Sequence, residues 1–240
     1  DEWWRRWYEC SLCEQQYHGV VMHALGWACW KTYLGRPEAD QIRGLAMSAL
    51  GNGLSEVGHD KDALSVDEAR LSWLRRLGAS EVDMLAAQGN LAKSYEMLGR
   101  DEEALPIRRG VYSGTLKLHG EEDGDTLLAA SNFAATLKNL RRFEEAKALL
   151  RRTTPVARRA LGASHITTLR MRWIYAQTLY KDDAVMLDDL REAVTTLEEI
   201  ERTARRVLGG GHPTTEGIEE CLQDARAALN ASVRSAAVDA

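Results

Sequence analysis

The feature that most constrains this chain is a period. Leu-Gly, or a close equivalent, recurs at Leu77-Gly78, His119-Gly120, Leu161-Gly162 and Leu208-Gly209. The first two intervals are 42 residues each and the third is 47, so the last unit carries five extra residues. Each of these glycines closes a Leu- and Arg-rich stretch, which is where a helix ends in left-handed conformation. A unit of this length buries its apolar face only against its neighbours, so the repeats must stack.

Inside each unit a second set of anchors keeps the same phase. A bulky residue precedes a small one and another bulky residue follows: Leu50-Gly51 with Leu54, Leu91-Ala92 with Tyr95, Phe133-Ala134 with Leu137, Tyr175-Ala176 with Leu179. Twelve residues after the small residue stands an alanine, at Ala63, Ala104 and Ala146. In the last unit the gap is seventeen, to Ala193, which places the insertion around Lys181 to Met186. Small residues facing each other on two helices permit close approach, and the flanking large side chains fill the space beside them.

Composition supports helices throughout. Proline is confined to Pro37, Pro106, Pro155 and Pro213, and no stretch alternates apolar and polar residues over strand length. The formal charge of −5 argues against bulk electrostatic binding of nucleic acid. No apolar run reaches the 18 residues or so that a membrane span needs. Aromatic residues are unevenly placed, with five of the seven tryptophans (Trp3, Trp4, Trp7, Trp27, Trp30) in the first 30 residues. The chain begins at Asp1 without Met, the expectation for a processed product or a piece of something longer.

The repeat resembles the tetratricopeptide repeat, in the 42-residue form found in kinesin light chains. The likeness is carried by Gly89-Asn90-Leu91-Ala92, Gly99-Arg100-Asp101-Glu102-Glu103-Ala104, Arg141-Arg142-Phe143-Glu144-Glu145-Ala146, Arg159-Ala160-Leu161-Gly162 and Arg206-Val207-Leu208-Gly209 with His212-Pro213. It implies an all-α fold, a right-handed α-solenoid of about four antiparallel helix pairs with an N-terminal helix and a C-terminal capping helix. The expected division is 1–35, a cysteine knuckle and Trp-rich helix; 36–212, repeats at about 38–80, 81–122, 123–164 and 165–211; and 213–240, a capping helix and tail. Helix pairs are expected at 38–57 with 60–77, 81–98 with 101–118, 123–140 with 143–161, and 165–181 with 185–208, then a cap over 213–229.

The resemblance also implies a concave groove lined by the first helix of each pair, where asparagines hold an extended peptide by its backbone. An amide side chain can both donate and accept. The matching positions hold Asn90 and Asn132, whereas the outer units carry Ala49 and Ile174. Along the same helices stand Lys93, Glu96, Lys138, Asn139, Arg170, Trp173 and Gln177. The cations suit an acidic segment and the indole suits an apolar anchor. The alternative, that the two asparagines only cap or cross-link helices, stays open. The arginine pairs, from Arg75-Arg76 to Arg205-Arg206 and including Arg108-Arg109, are interleaved with acids and read as a solvated convex face.

Cys10 and Cys13 form a single CxxC, two corners of a tetrahedral zinc site and only half of one. His18, His23 and Cys29 are the candidates for completing it within the chain. The stretch from Trp7 to Tyr17 resembles the last cysteine pair of a RING-type finger, most closely the RING-CH variant, which would place the other ligands upstream of Asp1. Zinc with upstream ligands, zinc completed in this chain, two reduced cysteines among tryptophans, and a redox dithiol all stay open.

No catalytic constellation is present: there is no GxSxG, P-loop, strand-borne GxGxxG or HExxH. The chain is therefore expected to be a non-catalytic, cytoplasmic scaffold that binds a protein or peptide in its groove. It is expected to bind no nucleic acid, to span no membrane, and to need no cofactor unless zinc is completed from upstream. Two alternatives stand beside this. One is the substrate-recognition arm of a RING-type ubiquitin ligase. The other is a structural subunit of a larger complex, held by the Trp-rich N-terminus.

Overall fold

The computed structural model describes residues 2–13, 15–182 and 185–238. These contain eleven helices and no strand; Glu9 and Gln16 form an isolated antiparallel bridge. The contacts divide into two units, residues 1–111 and 112–240, and the division falls inside helix α6 (Asp101–His119).

The first unit holds α1 (Glu2–Arg5), α2 (Gly19–Tyr33), α3 (Gln41–Ser55), α4 (Asp60–Leu77), α5 (Glu81–Met97) and the start of α6. Local chemistry sets the helix ends. The Asp40 carboxylate accepts from the Ile42 N–H at 2.9 Å to open α3, and Ser80 Oγ accepts from the Asp83 N–H at 3.1 Å to open α5. Gly78 ends α4 at φ 62°, and Gly120, Gly162 and Gly209 share that positive-φ geometry. The 42-residue signal is therefore a C-cap signal, since only glycine adopts this backbone without strain.

Helices α2 and α3 meet backbone to backbone. A Cβ on Gly26 would lie 2.6 Å from the Ala49 carbonyl oxygen, and one on Gly53 would lie 2.8 Å from that of Met22. Cys29, Tyr33, Ala46 and Ala49 form the core here, with Trp4, Trp7, Trp30 and Ile42 packed on it. Leu71, Trp73, Leu74, Ala87 and Leu91 continue the core between α4 and α5. The Trp73 ring lies where a Cβ on Gly44 would be, at 2.3 Å, and its indole N–H donates to the Glu38 carbonyl at 3.1 Å.

The second unit holds the end of α6, α7 (Gly124–Asn139), α8 (Phe143–Ala160), α9 (Ile166–Tyr180), α10 (Leu187–Leu208) and α11 (Pro213–Val238). Asp123 caps α7 through the Asp125 and Thr126 N–H groups. His165 and His212 cap α9 and α11, each accepting through Nδ1 from the N–H two residues on, at 3.2 and 3.1 Å. Leu169, Ala176, Leu179, Ala193, Leu197, Ile200, Ala204, Ile218, Leu222 and Ala225 form one aliphatic core across α9, α10 and α11. Residues 183 and 184, within the expected insertion, lie outside the described residues. Helix α11 runs to Val238, well past the expected end at 229.

Candidate functional site

In the first unit, Asn90 and Lys93 are half-buried on α5. The Asn90 amide makes no side-chain hydrogen bond with the described residues, which leaves its donor and acceptor available. Lys93 lies in the field of Asp67, a carboxyl only 4% exposed. Burial raises the pKa of Asp67, opposed by the Ser94 hydroxyl that donates to it at 2.7 Å and by the charges of Arg70 and Lys93.

Glu96, expected beside these on the groove, is already committed. It accepts two charge-assisted bonds from Arg108, at 2.9 and 2.6 Å, while Arg108 Nη1 donates to the Gly89 carbonyl at 3.1 Å. Arg108 is 6% exposed, so it does not belong to a solvated convex face. The physical reason is that a guanidinium offers five donors in a fixed fork and can be buried when a carboxylate and a carbonyl meet them. Arg70 is buried likewise, with Nε on the Gly44 carbonyl at 3.1 Å. Exposed Arg76 is answered by Glu38 at 2.8 Å and half-buried Arg142 by Glu145 at 2.6 Å, whereas Arg151 and Arg152 donate to the Tyr175 and Tyr112 hydroxyls.

In the second unit, Asn132 is half-buried on α7, and its amide also makes no side-chain hydrogen bond with the described residues. Asn139 stands exposed at the end of α7, and Arg170 is half-buried on α9. Lys138 Nζ donates to Gln177 Oε1 at 3.2 Å, and Gln177 Nε2 lies 3.1 Å from Cys221 Sγ. These bonds tie α7, α9 and α11 together. The expectation that Trp173 and Gln177 line an open groove does not hold, because α11 packs over them. Gln177 is 8% exposed, and a Cβ on Gly217 would fall 2.6 Å from the Trp173 ring. An aliphatic core needs covering at its last repeat, and the same helix that covers it closes this surface.

Two concavities accompany these residues in the second unit. A groove of about 440 Å³ between α10 and α11 is lined by Glu198, Glu201, Arg202, Arg205, Glu219 and Arg226 among others. Its charges answer one another, as in Arg205 with Glu201 at 2.7 Å and Glu219 at 2.5 Å, and Arg226 with Glu198 at 2.7 Å. A cavity of about 140 Å³ beside α7 and α8 is lined by Tyr112, Thr126, Arg152 and Thr153, with Arg152 donating to the Tyr112 hydroxyl at 3.0 Å.

The N-terminal cysteines sit in a tight loop. The Cys10 N–H donates to the Gln15 carbonyl at 2.8 Å and the Tyr17 N–H to that of Tyr8 at 2.9 Å, which closes the turn. Backbone N–H groups of Leu12 and Cys13 are directed at the Cys10 sulfur and hold its thiol below the usual range. Among the described residues no three His, Cys, Asp or Glu side chains come together as a metal site. His18, His23 and Cys29 are therefore not gathered with Cys10 and Cys13 among the described residues. Cys29 is fully buried, with its thiol pushed up to about 12, and His23 Nδ1 lies 3.2 Å from the Gly53 carbonyl. Trp4 and Trp7 are half-buried. Their rings lie 5.8 and 6.1 Å from that of Tyr33, in the α2–α3 core. The side chain of Trp3 lies outside the described residues. No described helix is long and apolar enough to cross a membrane.

Comparison with known proteins agrees with this fold. Residues 126–167 match the tetratricopeptide repeat family. No curated protein matches the chain. Among solved structures, the nearly identical TPR-like repeats of a protein assigned as a kinesin light chain from Podosopora anserina share 21% identity. That match covers 84% of this chain and 92% of the other, at a TM-score of 0.64. BtubC (BKLC) from P. vanneervenii shares 17% identity over 91% of each chain, also at 0.64. A Rap protein complexed with competence and sporulation factor shares 14% over 88% of this chain and 59% of its own, at 0.58. The described residues are all-α and carry helical repeats, one of which, 126–167, is a tetratricopeptide repeat match, and the fold is similar to that of kinesin light chain-like repeats.

Proposed function

We propose that the protein is a non-catalytic scaffold whose repeat helices bind a peptide or protein segment, with Asn90 and Asn132 as backbone-reading contacts in their respective units. The observation that carries this reading is the state of the two amides. They stand 42 residues apart at one repeat position, both half-buried and without a side-chain partner. A capping or cross-linking asparagine would be hydrogen-bonded. Lys93 in the first unit, and Lys138 and Arg170 in the second, favour an acidic segment, and Asn139 adds a neutral amide beside Lys138. Trp173 and Gln177 contribute by holding α9 to α11. The full chain and its Asn90→Ala/Asn132→Ala variant, used as parallel baits, test this. Loss of specifically captured proteins at an unchanged melting temperature supports the reading. Equal capture, or a melting temperature lowered by several degrees, sinks it.

A second reading, the arm of a RING-type ligase, is favoured by the Cys10–Cys13 turn alone. Two thiols with backbone N–H groups aimed at the first sulfur fit half of a structural zinc site. The other ligands would come from beyond the described residues. Stoichiometric zinc on a chain extended upstream of Asp1, lost in Cys10→Ser, supports it, and a metal-free extended chain removes it.

A further inference from the structure

The cavity beside α7 and α8 holds two polar groups that the second unit itself does not answer. It lies between the second half of α6, the first turns of α7 and the second half of α8. Leu116, Leu127, Ala130 and Val156 make most of its wall apolar. Set into that wall is Thr126, 2% exposed, whose hydroxyl has no hydrogen-bond partner among the described residues. Forty-two residues later Thr168 holds the same repeat position, and its hydroxyl donates to the Ala157 carbonyl at 3.3 Å. A hydroxyl taken out of water needs a partner, and the space in front of Thr126 is where one would sit.

The second group is Arg152, exposed on the cavity's rim. Arg142 and Arg205 meet carboxylates, whereas Arg152 meets the Tyr112 hydroxyl and no carboxylate among the described residues. A guanidinium carries five N–H donors, so most of this fork stays open. Tyr112 is buried, and because its oxygen accepts from Arg152 its own proton remains to be given. A cation and hydroxyl donors beside an apolar space suit a small anion with an apolar body. Glu121, also on the rim, lies 3.9 Å from Arg159 and repels a second negative charge. The volume of about 140 Å³ sets the size, since an apolar cavity of about 150 Å³ holds a benzene-sized molecule.

We propose that this cavity binds a short monocarboxylate, a branched acid of roughly five carbons. Its carboxylate takes the free N–H groups of Arg152 and the Tyr112 proton, the Thr126 hydroxyl donates to it from the wall, and its chain lies against Leu127 and Ala130. Asn132 does not line the cavity, so the peptide-binding reading stands or falls separately.

Saturation-transfer NMR and thermal melting of the full chain with isovalerate test this. Isovalerate should bind with a Kd of about 1 mM, and about 20 mM of it should raise the melting temperature by a few degrees. Isovaleramide, which lacks the charge, and succinate, which adds a second one, should each bind about tenfold more weakly. Thr126→Val keeps the shape and removes the hydroxyl. The free variant should melt no lower than the parent, while isovalerate binds about fivefold more weakly. Arg152→Met should weaken binding about tenfold and remove the preference for acid over amide, with the helical circular dichroism unchanged. No binding of isovalerate up to about 20 mM overturns the proposal, and so does an amide or a succinate bound as well as isovalerate. Either variant binding like the parent, or a Thr126→Val chain that melts lower, overturns it too, and the cavity is then a place for ordered water alone.

Discussion

The two units solve one packing problem in different ways. In the first, α2 and α3 touch through glycine, with Gly26 and Gly53 against carbonyl oxygens and tryptophan rings filling the margins. In the second, α9, α10 and α11 interlock through leucine, isoleucine and alanine, with Leu197, Ile200 and Ile218 fully buried. A glycine contact has almost no volume to lose and no room to gain any. An aliphatic core has much volume to lose and fills its gaps by adjusting rotamers. The first kind of contact is therefore sensitive to enlargement and the second to truncation.

The largest expected effect follows from the aliphatic core. Leu197→Ala should destabilise the second unit by about 3–4 kcal/mol, read by urea denaturation. A cost under about 1 kcal/mol would mean that this core collapses onto the gap, and the contrast would be lost. In the first unit the reverse change matters. Gly26→Ala should cost about 2–3 kcal/mol although it adds a single methyl group, because the atom it meets is backbone and cannot swing aside. A neutral Gly26→Ala would show that α2 can lift from α3 without penalty.

The buried carboxyl of the first unit supplies a pH signature in the acid range, whereas the acids that burial raises in the second unit are the phenols Tyr175 and Tyr180. Asp67 has its folded pKa raised by burial, above its unfolded value. Its contribution to stability is present at low pH and is lost as pH rises through the folded pKa. Asp67→Asn should therefore gain stability relative to the parent as pH increases from about 4, where free carboxyls begin to ionise. A difference that is flat with pH, or opposite in sign, would show that Ser94, Arg70 and Lys93 outweigh the burial.

The smallest effect concerns one turn. Gly99, in the first unit, has φ 70°, and Arg141, 42 residues later, has φ 57° with a side chain to accommodate. Arg141→Gly should stabilise by up to about 1 kcal/mol, reduced by the entropy that glycine adds to the unfolded chain and by loss of the guanidinium stacked 5.4 Å from the Phe143 ring. Differential scanning calorimetry should show a rise of a few degrees at most. A fall would mean that the stacking is worth more than the relief of strain.

Much of the architecture was legible in the chain because the signals are local. A glycine at φ above 60° writes the end of a helix into its own position, as at Gly78 and Gly162. The anchors Ala92 and Ala104 mark one hairpin, and both are fully buried. The same spacing of twelve relates Glu96 to Arg108, one turn further along each helix, so that buried pair was detectable in principle. It was missed because an arginine beside another arginine reads as solvent-facing, and only the neighbouring helix supplies the carboxylate that lets one of them go inside. The candidate site was less legible. Trp173 and Gln177 stand at groove positions by register, yet α11 folds back across them, a contact between segments about forty residues apart.

The sequence alone determined the period, the helical class, the capping residues and the two asparagines in phase, since each depends on spacing along a helix. Tertiary structure decided which side chains remain available. It buried Arg108 and Gln177, packed Trp4 and Trp7 on Tyr33, and left the Thr126 hydroxyl without a partner among the described residues. Availability depends on what another segment covers, and that is settled by the competition of every apolar face for a neighbour.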